Sequence, residues 1–132
     1  MLVDTSVWID FFNGYDSPEA NRLTLAITEG EPIALTGLVL TEILLGLKSD
    51  READRIAELL TAFEFVSEPT LADYSDAARL YRTCRAQGFT IRSTIDCVIA
   101  QVAIRDHRPL LTKDRDFATI AQVTTLELLP IT

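Results

Sequence analysis

Histidine is almost absent from this chain: its single copy, His107, sits beside Asp106 and Arg108, where an exposed position is expected, and leaves no second imidazole for a histidine acid–base pair. Cysteine is nearly as scarce. Cys84 and Cys97 lie in helix-like stretches with neither metal-ligand spacing nor enough partners for a disulfide framework, which suits a reducing cytoplasm. Long hydrophobic runs are missing too. Apolar stretches break within a few residues, as at Gly37 and Glu42, and no basic region precedes an apolar one at Met1-Leu2-Val3-Asp4, so neither a membrane span nor a secretion signal is expected. Basic residues are outnumbered, 12 against 20 acids, for a net charge of −8. That balance speaks against broad electrostatic binding to nucleic acid.

What is present is enough apolar residue, 48% of 132, to build one compact domain over residues 1–132. Charge is also uneven. Between Arg79 and Arg115 stand Arg79, Arg82, Arg85, Arg92, Arg105, Arg108, Lys113 and Arg115 against only Asp96, Asp106 and Asp114, a locally positive stretch that can equally be a solvated helix face.

Short apolar runs alternate with helical patterns. Leu2-Val3 reads as a strand, followed by a helix from Thr5 that Asn13-Gly14 closes. Pro18 starts a second helix that stops at Gly30. Ile33-Ala34-Leu35 is a second strand, Thr36 or Gly37 opens a helix through Lys48, and Asp50 can cap the next, with Ile56, Leu59, Leu60 and Phe63 at helical spacing. Phe65-Val66 is a third strand candidate. Leu71, Tyr74, Ala77, Ala78 and Tyr81 mark a helix from Thr70 that Gly88 ends, and Ser93 opens another through Ala103. Leu110-Leu111-Thr112 reads as a fourth strand, Asp114 to Ala121 as a short helix and Val123 to Leu128 as a last strand. Strands separated by helices are mostly parallel, with both sheet faces covered, and ligands then bind beyond the carboxyl ends of the strands.

Four acids occupy telling places in that order. Asp4 follows the first strand and Asp114 the fourth, while Glu42 interrupts Leu38-Val39-Leu40-Thr41-Glu42-Ile43-Leu44-Leu45, where a carboxylate is half buried and needs a cation or hydrogen bonds. Asp96 lies on a later helix. Each has a plainer reading: Asp4 and Asp114 as helix N-caps, Asp96 as the acid of a Ser93-Thr94-Ile95-Asp96 capping box, Glu42 on a polar stripe with Thr41 and Lys48.

Four segments together resemble one family. Leu2-Val3-Asp4-Thr5-Ser6-Val7-Trp8-Ile9, Leu40-Thr41-Glu42-Ile43-Leu44-Leu45-Gly46, Ile95-Asp96-Cys97-Val98-Ile99-Ala100 and Leu110-Leu111-Thr112-Lys113-Asp114-Arg115-Asp116-Phe117 make the chain similar to PIN-domain ribonucleases, specifically the VapC toxins of toxin–antitoxin pairs. The resemblance implies a three-layer α/β/α sandwich with a mainly parallel sheet of four to five strands. It implies an acidic cluster of Asp4, Glu42, Asp96 and Asp114, with Asp116 as an additional member, holding Mg²⁺ or Mn²⁺ chiefly through Asp4 and Asp96. Thr5 or Ser6, and Thr112, would orient a carboxylate or a water. Arg92, and then Lys113 and Arg115, are candidates to hold RNA phosphates, and Trp8, Phe11 and Phe12 are either base-stacking or core aromatics. The implied activity is Mg²⁺-dependent hydrolysis of RNA, transfer RNA first, with messenger and ribosomal RNA open. The implied partners are a VapB-type antitoxin across the site and a second copy of the chain.

Two other classes compete. A haloacid-dehalogenase-type phosphatase also begins with an aspartate after its first strand, but needs a second aspartate where this chain has Ser6. The other is a PIN fold retained as a non-catalytic binding module.

Overall fold

The computed structural model describes residues 1–131; Thr132 lies outside them. In chain order the elements are β1 (Leu2–Val3), α1 (Thr5–Asn13), α2 (Pro18–Glu29), β2 (Ala34–Leu35), α3 (Gly37–Leu45), α4 (Asp50–Leu60), β3 (Glu64–Phe65), α5 (Leu71–Ala86), α6 (Thr94–Arg105), β4 (Leu110–Leu111) and α7 (Arg115–Val123). The four strands form one sheet in the order β3-β2-β1-β4, and every pairing is parallel. Leu2, Val3, Ala34, Leu35, Leu110 and Leu111 are all fully buried. Strands covered on both faces read as apolar pairs rather than as alternating patterns. Helices α1 to α4 pack on one another and α5, α6 and α7 form a second group, giving the α/β/α layering.

The chain leaves β1 toward β2 on one side and returns as β4 on the other. This reversal opens a crevice at the carboxyl ends of β1 and β4. Asp4 and Asp114 stand there, one residue beyond β1 and three beyond β4.

Local signals explain most helix ends. Ser17 caps α2 by accepting the Ala20 N–H at 3.1 Å, Pro18 begins it, and Gly30 ends it at φ +70°, a left-handed backbone that costs a residue without Cβ little. Thr70 and Asp73 form a reciprocal capping box at the start of α5. Ser49, not Asp50, caps α4. Trp8 is fully buried, stacked on Phe12 with centroids 5.9 Å apart and tilted against Phe63 at 5.1 Å, so these aromatics build core.

The expected last strand at Val123 to Leu128 is replaced by something else. The apolar helical face of Phe117 and Ile120 continues, so α7 runs to Val123, and Thr124 Oγ donates back to the Ile120 carbonyl at 2.8 Å. Among the described residues one parallel bridge, Leu110 to Leu128, extends the sheet beyond β4. The third strand begins a residue earlier than expected, and α3 stops at Leu45 rather than Lys48.

Candidate metal centre

At the end of β1 the chain turns directly into α1, which makes Asp4 its N-cap: the Asp4 Oδ2 accepts the Ser6 N–H at 3.4 Å. The capping reading and the site reading therefore describe one residue. The same oxygen accepts the Ser6 hydroxyl at 2.8 Å and the Thr112 hydroxyl at 3.0 Å. Each hydroxyl has one proton, and both protons go to Asp4, so their lone pairs are left for donors. Ser6 Oγ accepts the Lys113 N–H at 3.1 Å, and Thr112 Oγ accepts the Asp114 N–H at 3.0 Å. Two side chains thus lash the Asp4 carboxylate to the loop that carries Asp114. Removing both, as Ser6→Ala with Thr112→Val, is expected to weaken binding of a divalent cation about 10- to 100-fold while the protein remains folded, checked by calorimetric titration of Mn²⁺ beside circular dichroism.

The other acids are held in a similar way. Thr5 Oγ donates to Glu42 Oε1 at 2.7 Å, fixing the half-buried acid of α3 against the start of α1. Asp114 caps α7, its Oδ1 accepting the Asp116 N–H at 2.9 Å and an Arg92 Nη at 3.2 Å. Asp116 Oδ2 accepts both the Arg92 backbone N–H at 3.1 Å and its Nε at 3.2 Å. Asp4, Glu42, Asp114 and Asp116 are each gripped through a single oxygen. Among the described residues the second oxygen of each accepts no hydrogen bond.

Asp96 differs. Ser93 makes no side-chain cap on α6, so the expected capping box does not form. Instead the carboxylate is buried beside the other acids. Burial, then the charges of Asp4, Asp114, Glu42 and Asp116, push its pKa to about 7. Burial likewise raises the Asp4 pKa, against hydrogen bonds from Ser6 and Thr112 that lower it.

Carboxylate oxygens of Asp96, Asp114 and Asp116 all lie within 4.8 Å of one another, which fits the oxygen-only donor set of a hard divalent cation. Asp116, expected from the sequence only as an additional member, is one of these three. Asp4 lies outside it, although its charge is the leading electrostatic influence on Asp96. The sequence does mark Asp116, as an acid in the first turn of a helix directly after a strand.

The basic candidates separate. Arg92 is engaged with Asp114 and Asp116, and these contacts raise its pKa. The Lys113 ammonium pairs with Asp10 and lies 5.0 Å from the Tyr15 ring centre, and among the described residues it pairs with none of the cluster's acids. Asp10 is the acid that sequence reasoning missed. Arg115 is exposed and, among the described residues, makes no ion pair. Arg105 and Arg108 neutralise Asp73, Asp106 and Glu64, reducing the positive excess of their stretch.

A family model for the PIN domain matches residues 1–123. A VapC ribonuclease of Mycobacterium bovis and the ribonuclease VapC11 of Mycobacterium tuberculosis are each 32% identical to this chain over 128 residues, 96% of either partner. Among solved structures, VapBC2 from Rickettsia felis bound to a promoter DNA fragment aligns at a TM-score of 0.75 and 20% identity, over 97% of this chain and 96% of the other. A toxin–antitoxin complex from Klebsiella pneumoniae aligns at 0.67 and 23% identity, over 96% and 98%. The match extends through all four acid-bearing segments, and by it the chain belongs to the PIN-domain family, in the company of the VapC ribonucleases.

Proposed function

We propose that this chain is a metal-dependent endoribonuclease, the toxin of a toxin–antitoxin pair, working as a single domain through Asp4, Glu42, Asp96, Asp114 and Asp116. The observation that carries the reading is the arrangement of these carboxylates: four fixed through one oxygen with the other free, around a fifth, Asp96, whose charge is costly unless a cation arrives. The oxygen-only donors favour Mg²⁺, with Mn²⁺ as its substitute.

Such an ion, when bound, activates a water and offsets charge developing on the phosphate. The residues supply the rest. Asp96, Asp114 and Asp116 would hold the ion, Asp4 deepens the negative field, and Thr5, Ser6 and Thr112 keep Glu42 and Asp4 from rotating. Arg115 offers a cation to an RNA phosphate beside the cleft. Water adds to phosphorus and the bond to the 3′ oxygen breaks, a proton of the water passing through solvent to that oxygen, so that a 5′-phosphate and a 3′-hydroxyl are left. Transfer RNA is the substrate we propose by family likeness.

A phosphatase nucleophile pair is disfavoured by Ser6, whose hydroxyl stands where a second aspartate would be needed and donates to Asp4. The acidic crevice suits a basic segment of a VapB-type antitoxin, and a homodimer completes the assembly we propose by family likeness. Cys84 and Cys97 are both free and buried, in keeping with a cytoplasmic protein, and no helix among the described residues is long and apolar enough to cross a membrane.

The test is incubation of the purified protein with a total small-RNA pool and Mg²⁺ or Mn²⁺, beside EDTA, with both product ends sequenced. Discrete cuts bearing 5′-phosphates and absent in EDTA are expected. Cyclic phosphate ends, or cutting that survives EDTA, would overturn the metal-dependent mechanism; metal binding without any cutting would favour a binding module.

A further inference from the structure

The Arg92 side chain is 69% exposed, yet its guanidinium lies against two of the three acids best placed to hold a cation. Its Nε is 3.2 Å from Asp116 Oδ2, its Nη 3.2 Å from Asp114 Oδ1, and its backbone N–H fixes the same Asp116 oxygen at 3.1 Å. The backbone bond is indifferent to the side chain, so Asp116 keeps its place if the guanidinium leaves. An exposed side chain can leave readily, because exposed ion pairs are weak. A divalent cation in the same triad would repel the guanidinium and compete for the same carboxylates.

We propose that Arg92 is a resident counter-cation: it covers Asp114 and Asp116 while the cation is absent, is displaced when the cation binds, and is thereby released toward the substrate phosphate. This rests on the metal-site reading above and adds an exchange step to it. The guanidinium weakens cation binding in the free protein, and cation binding in turn frees a phosphate ligand, so the two ligands are coupled through one side chain. Neither step needs backbone movement. Arg92 acts on the cation through Asp114 and Asp116, and is in that respect a positioning residue.

The experiment is calorimetric titration of Mn²⁺ into the wild-type protein, Arg92→Gln and Arg92→Lys, followed by binding, with and without Mn²⁺, of an oligoribonucleotide whose bridging 3′ oxygens are replaced by methylene and which therefore cannot be hydrolysed at that bond. Arg92→Gln is expected to bind Mn²⁺ about threefold or more tighter than wild type, in keeping with loss of exposed charge pairs. Arg92→Lys, which keeps the charge without the planar fork, is expected to fall between them. Mn²⁺ is expected to tighten RNA binding more for wild type than for Arg92→Gln. Equal or weaker Mn²⁺ binding by Arg92→Gln, beside a wild-type protein that binds Mn²⁺, would overturn the exchange and leave the metal site standing. No Mn²⁺ binding by any of the three would overturn both.

Discussion

Replacing Asp96 with Asn is expected to reduce RNA cleavage by at least about a thousandfold at saturating Mg²⁺, with the fold intact. Asn keeps the shape of the side chain and removes its charge. Asp96 is the right residue for this test because, among the described residues, its carboxylate takes part in no capping box with Ser93, and what raises its pKa is burial and four neighbouring carboxylates. The corresponding change at Asp4 would be harder to read, since three hydrogen bonds from Ser6 and Thr112 end on one of its oxygens. Single-turnover cleavage by wild type and Asp96→Asn checks the expectation. A variant within tenfold of wild type would mean that the charge at Asp96 is not needed.

The same substitution is expected to stabilise the metal-free protein at pH 8, by about 2 to 4 kcal/mol in urea unfolding with EDTA present. The folded pKa of Asp96, about 7, lies above the ordinary carboxylate value that the unfolded chain has. The folded state therefore holds the proton more tightly. The stability this contributes is fully present below about pH 4 and is lost as pH rises through about 7, beyond which wild type carries the full cost of an ionised Asp96. Asparagine carries no such cost, so the two proteins should converge toward pH 4 and part toward pH 8. Added Mg²⁺ should raise the stability of wild type far more than that of the variant, because only a ligand that binds the native state shifts unfolding. A variant no more stable than wild type in EDTA at pH 8 would contradict the buried-charge reading of Asp96.

A site that loses stability to gain function is also where sequence patterns mislead. Ser93-Thr94-Ile95-Asp96 has the form of a capping box, a local rule, and the structure turns Asp96 toward distant acids instead. By contrast Pro18 and Gly30, whose effects are confined to their own backbone, delimit α2 as expected. Asp4 and Asp114 were legible because an acid after a buried strand in a parallel sheet must lie at its carboxyl edge. Their partners at that edge were less so. The Asp10 to Lys113 pair and the Arg92 grip on Asp114 and Asp116 join positions far apart in the chain, and no spacing rule reports them. The last strand failed for a different reason. Val123 to Leu128 is apolar enough for either element, and the face that Phe117 and Ile120 bury carried the helix onward to Val123.

Anomalous diffraction from crystals of the protein soaked in Mn²⁺ asks most directly whether these carboxylates form a cation site. A Mn²⁺ peak is expected in contact with Asp96 and with Asp114 or Asp116, with the Arg92 guanidinium turned away from the ion. A peak remote from Asp96, or none at saturating Mn²⁺, would contradict the metal centre on which the proposed catalysis depends.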